Sequence, residues 1–148
     1  MASRIFFIAF LTVFVLFAKS QNLTIYRSEM SVEKTTEKLV EKIKESGLTY
    51  FQTISYDKAV VDNGLKLDPT KTVLFEDSNL SAQLINCQQT SVLDLPLKIL
   101  VWEEHKDVYI GFIDPKFMKK RFLVVGCDEI IESLTKIMVR VTNDTIRK

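Results

Sequence analysis

Two helix-period patterns bracket a run of strand-like segments, and that arrangement limits the possible folds more than any other feature of the chain. Val32, Thr36, Leu39, Val40 and Ile43 recur at i, i+4, i+7, i+8 and i+11, one apolar face of a helix. Ser31 precedes them as N-cap, Glu33 lies in the first turn and Gly47 follows as a C′ residue. On the opposite face, like-charged i,i+4 pairs such as Glu33 with Glu37 offset opposite-charged i,i+3 pairs such as Lys34 with Glu37. That helix is therefore held by its apolar side, and its charges form a solvated surface. Ile130, Ile131, Leu134, Ile137, Met138 and Val141 repeat the spacing between Asp128 and Ile146, the strongest periodicity in the sequence.

Strand signals occupy the rest. Asn22 to Glu29 precedes the first helix; Leu48 to Tyr56, Thr72 to Glu76, Leu97 to Glu103 and Val108 to Ile113 lie between the two helices. Short helical inserts are expected around Val60, before Asn63-Gly64, and after a cap at Asp77 or Ser78, with Leu80, Leu84, Ile85 and Cys87. A third runs from Lys116 to Phe122, with Asp114 as N-cap and Pro115 at N1. The order β-α-β(4)-α predicts an α+β fold, an antiparallel five-stranded sheet packed on two helices. Leu97, Ile99 and Val101 alternate with Leu100 and Trp102, so the strand from Leu97 is apolar on both faces and is expected at the sheet centre.

Residues 1–20 have the layout of a signal peptide: Arg4, an apolar run from Ile5 to Phe17, and small residues Ala18 and Ser20 before a cut at Gln21. An uncleaved N-terminal anchor is the rival reading. Cleavage leaves residues 21–148 as a single domain, secreted or periplasmic, with no stable membrane span. Arg4 and Lys19 leave with the leader, so 20 basic residues become 18 against 19 acidic, a net charge of −1. Near-neutral charge and export both argue against nucleic acid as a partner. Cys87 and Cys127 remain. An even pair in an oxidising compartment points to a disulfide; two buried free thiols are the alternative, and spacing does not decide between them.

No catalytic constellation stands out. His105 is the single His and sits in a charged hairpin turn, so a Ser/His/Asp or Cys/His set would have to be built there. One His and two distant Cys make no zinc or haem signature, four scattered Gly make no phosphate loop, and no cofactor is expected. Asp94 and Asp114 would form a carboxylate pair only if one cleft held both. The simpler roles are capping for Asp114 and backbone N–H acceptance at the turn before Pro96 for Asp94. Lys116, Lys119, Lys120 and Arg121 interleave with Phe117, Met118 and Phe122, which reads as a solvated face with apolar residues tucked inward. Three sequons, at Asn22, Asn79 and Asn143, are present.

Three stretches resemble the family known as domain of unknown function 302. They are Ser31 to Leu39 with Gly47-Leu48; Gly64 to Thr70 leading into Val73-Leu74-Phe75-Glu76; and Leu93-Asp94-Leu95-Pro96-Leu97-Lys98-Ile99-Leu100-Val101-Trp102-Glu103 with Gly111 to Pro115. The resemblance implies a TATA-binding-protein-like fold and no activity. It also marks departures: Tyr56 stands where members tend to carry His, and Glu76-Asp77-Ser78 replaces a Gly-Asn-Pro turn. The expectation is a small non-catalytic ligand-binding or interaction module, with a groove near Tyr56, Asn79, Asp94 and Lys98. A redox or enzyme accessory using Cys87 and Cys127 is the alternative. A small molecule and a second copy of the chain, giving a homodimer, are the partners open to it.

Overall fold

The computed structural model describes residues 22–147; the expected leader, 1–20, lies outside them. The elements are β1 (Leu23–Ser28), α1 (Val32–Glu45), β2 (Thr49–Ser55), α2 (Asp57–Asp62), β3 (Thr70–Glu76), α3 (Ser78–Cys87), a 3-10 turn (Gln89–Asp94), β4 (Leu97–Glu104), β5 (Asp107–Ile113), α4 (Lys116–Arg121) and α5 (Asp128–Ile146). This is the α+β order expected from periodicity. Caps fall where local chemistry puts them: Ser31 accepts from the Lys34 N–H, and Asp77, rather than Ser78, accepts from Leu80.

All strands pair antiparallel, in the order β1-β5-β4-β3-β2. β4 is central, as its sequence suggested. The register sorts side chains into two faces. Tyr26, Ile110, Val101 and Lys71 form one cross-strand row, and Val73 opposite Ile99 and Phe75 opposite Leu97 share its face. α1 and α5 pack there, with Leu39, Ile43, Leu134, Met138 and Val141 almost fully buried against the strands. Thr35 joins this core because its hydroxyl pairs with Ser28 Oγ at 2.7 Å, which satisfies both buried groups.

The opposite face carries the row Ile25, Gly111, Leu100, Thr72 and Ile54, flanked by Tyr109 and Trp102. No helix is layered on it among the described residues. The expectation drawn from the apolar alternation of β4 holds for its place in the sheet. The strand is central in the sheet, but helices cover only one of its two apolar faces. Trp102 and Tyr109 pack ring on ring, centroids 5.4 Å apart. Where β2 meets β3, the register slips between Tyr50 and Gln52, a bulge at the edge that leaves Phe51 half exposed.

The β4–β5 hairpin turns on His105 and Lys106, both with positive φ, 53° and 71°. Two left-handed residues in a two-residue hairpin define a primed turn, whose second position favours Gly. Lys106→Gly is expected to stabilise the fold by about 0.5–1 kcal/mol, since a left-handed non-glycine residue costs roughly 1–2 kcal/mol and glycine returns part of that in chain entropy. A urea midpoint that rises with unchanged slope is the expected reading.

Cys87 ends α3 and Cys127 precedes α5; their sulfurs lie at disulfide distance, with Cα atoms 6.6 Å apart. Beside them Gln88 Nε2 donates to the Phe122 carbonyl at 2.6 Å. The loop from Phe122 to Cys127 is thus strapped to the end of α3 at both of its ends.

Candidate functional site

A cavity of about 320 Å³ opens at the end of the sheet where β4 begins and β5 finishes. Its walls come from five elements or junctions of the chain. The 3-10 turn gives Leu93 and Asp94, β4 gives Leu97 and Lys98, the β5–α4 junction gives Ile113, Asp114 and Pro115, and the helices give Met118, Arg121 and Met138. The size falls in the range of small-molecule sites, as does the mix of an apolar floor with a few converging polar groups. A larger hollow of about 740 Å³ beside the hairpin is polar throughout apart from Met30 and Val108.

Inside the cavity Arg121 Nη1 donates to Asp94 Oδ1 at 2.9 Å. This corrects the expectation that Asp94 serves backbone N–H groups: its partner is a guanidinium from α4. Asp114 does act as a cap. Its Oδ1 accepts from the Lys116 N–H at 2.9 Å and from the Thr135 hydroxyl at 3.1 Å. Lys98, placed by register on the uncovered face, turns its ammonium over the sheet end. There Nζ donates to the Asp94 and Pro96 carbonyls at 3.1 and 3.0 Å. Burial holds the Lys98 amine below its ordinary value near 10.5; Asp94 pulls it back up, and Arg121 pushes it down.

Both cations keep donors available. An ammonium has three N–H donors and Lys98 commits two; a guanidinium has five and Arg121 commits one to Asp94. Both carboxylates are engaged, Asp94 by a cation and Asp114 by cap donors. His105, at the far end of the eight-residue β4, lies about 20 Å away along the strand, outside reach of either acid. Among the described residues no group of three His, Cys, Asp or Glu is placed to hold a metal ion. The arrangement suits recognition of charge next to an apolar body.

Of the four residues expected near a groove, the structure brings together Asp94 and Lys98. Tyr56 follows the end of β2 and Asn79 lies just past the end of β3. Thr49 pairs with Glu76 and Ser55 with Lys71, so those two positions sit at opposite ends of the strand pair, about 20 Å apart. Neither lines the cavity. Arg121, expected on a solvated face, forms part of the cavity wall, together with Met118 and Met138, which were not expected there. The one local hint was that Arg121 falls at the end of a helix whose start, Asp114-Pro115, was already marked.

The family model for "Domain of unknown function DUF302" matches residues 24–141. Among curated proteins, the chain is 30% identical over 95 residues to the fluoride-specific ion channels FluC 1 of Brucella suis biovar 1 (strain 1330) and Brucella abortus biovar 1 (strain 9-941). The matched stretch is 64% of this chain but 37% and 35% of those proteins, so the chain spans about a third of the curated relatives it matches. The crystal structure of an uncharacterized conserved DUF302 protein from Bacillus stearothermophilus superposes with a TM-score of 0.79 at 19% identity, covering 86% of this chain and all of that one. That likeness supports the same five-stranded antiparallel sheet with helices. With the family model spanning most of its length, the chain belongs to the DUF302 family, domains whose function is unknown.

Proposed function

We propose that this domain is an exported, non-catalytic binding module for a small amphipathic anion, an apolar body with one carboxylate. One observation carries the reading. Lys98 and Arg121 converge with uncommitted donors on a cavity whose floor is Leu97, Pro115, Met118 and Met138. An apolar tail would lie on that floor, and the carboxylate would add to both cations without displacing Asp94 from Arg121. Membership of the family leaves this open, because the family has no assigned activity. The ion-channel relatives are about three times longer than the stretch they share with this chain, and their activity is not carried over to it. No described helix is long and apolar enough to cross a membrane.

Octanoate is a suitable probe, with octylamine and octanol as comparisons. Titration calorimetry should show octanoate binding and the amine failing to bind. Lys98→Met and Arg121→Met should each weaken octanoate about tenfold, the size of one charge-assisted hydrogen bond. The Arg121 variant should cost little stability, because Arg121 is more than half exposed in its pair with Asp94. The anion favours protonated Lys98, so it raises a pKa that the free protein holds low. Binding therefore takes up protons at alkaline pH, and affinity falls as pH rises through the Lys98 pKa. Octylamine binding as tightly as octanoate would end this reading. Export is tested separately: protein recovered outside the cytoplasm should begin at Gln21, and an intact Met1 would count against it.

A further inference from the structure

The sheet face turned away from α1 and α5 is apolar where an antiparallel sheet with one wet face normally carries polar residues. Leu100, Trp102 and Tyr109 lie half-buried along its middle, and Ile25 beside them is 44% exposed. The two cations that the register puts on this face do not occupy its centre. Arg27 is tied to Asp107 at the hairpin end, and Lys98 curls over the other end to backbone carbonyls. We propose that this face docks against the same face of a second copy of the chain, sheet on sheet, about a two-fold axis running across the strands. The inference rests on the apolar face and not on what the cavity binds, although Lys98 borders both.

Area supports that occupant. Strands of six to eight residues, five abreast, give a planar footprint on the order of 500 Å² per copy at ordinary strand spacing and rise. Side-chain relief adds accessible surface to this, so the pair of faces passes about 1,000 Å², the size at which specific interfaces begin. Flatness supports it as well. Gly111 has no side chain, and the Trp102 ring lies directly over it, which smooths the face for another sheet at about 10 Å. Charge favours a second copy over an anionic lipid surface, because Asp68 and Glu104 outnumber Lys66 at the Trp102 end and leave it net negative toward such headgroups. A two-fold axis across the strands sets each copy's acidic end over the Lys98 end of the other, so like charges do not meet.

Trp102 is the single tryptophan, so its emission reports on this face alone. Sedimentation velocity of the full chain between 1 and 100 μM should move from monomer to dimer, and tryptophan emission should shift to the blue over the same range. Ile25→Lys, at an exposed position, and Leu100→Lys, at the centre, should each raise the dimer dissociation constant tenfold or more with unchanged circular dichroism. The proposal is overturned by a chain that stays monomeric to 100 μM with constant emission. It is overturned too by a dimer that survives both substitutions, or by a monomer whose emission shifts only with phosphatidylserine vesicles.

Discussion

Replacing both Cys87 and Cys127 by Ser is expected to lower stability by about 4 kcal/mol, the chain-entropy value for a bridge closing a loop of 40 residues. Urea unfolding checks this, and the wild-type protein under reductant should fall to the level of the double variant. A wild-type midpoint indifferent to reductant would mean that the two cysteines are unlinked. The substitution also reaches the cavity. Arg121 immediately precedes the loop that the bridge and Gln88 strap to α3. Release of that strap should cost the double variant part of its octanoate affinity while the sheet stays formed. A structural bridge should have a reduction potential below about −300 mV. A higher value would favour the redox alternative.

Gly111→Ala should cost about 1–3 kcal/mol, in the range for forcing extra volume into a packed site. A Cβ at this position would stand 2.8 Å from the Thr24 carbonyl oxygen and 3.3 Å from the Trp102 ring. The ring can give a little, but the oxygen belongs to the backbone of the neighbouring strand. Either β1 moves away from β5 or the pairing between them loosens. Amides of Leu23 to Ser28 should therefore exchange faster than those of β3 and β4. Trimming the ring separates the two contacts. Gly111→Ala with Trp102→Leu should stay as destabilised as the two changes added, because the clash with Thr24 remains. Recovery in the double variant would assign the strain to the indole instead.

Much of the fold could be read directly from local patterns. The period of Val32 to Ile43 and of Ile130 to Val141 placed both long helices, and Asp114-Pro115 marked the start of α4. These signals are local, since capping and amphipathicity act within a turn or two of the residues that express them. The placement of β1 beside β5 was not local: it joins Leu23 to Ile113 across most of the chain. The cavity was hidden for the same reason. Asp94 and Arg121 are 27 residues apart, and Met138 comes from a third element. Asp94 and Lys98 stand two residues either side of Pro96 in the stretch that resembles the family, yet no spacing rule names Arg121 as their neighbour. Tyr56 and Asn79, expected beside the same groove, are put at opposite ends by the antiparallel register of β2 and β3. The alternation of β4 showed two apolar faces but could not say that helices would cover only one.

The bulge at Phe51 has a consequence for growth. An open sheet ends in two rows of unpaired backbone groups, and flat, regular edges invite further chains to add on without limit. Here β1 is only six residues long, and β2 loses its regular ladder between Tyr50 and Gln52. Both borders are poor templates for strand addition. Contacts along a border would propagate into fibres, whereas contacts across the flat of the sheet are used up once two molecules meet. The irregularity of β2 therefore makes this border ill-suited to strand-by-strand polymerisation, whatever the flat of the sheet meets.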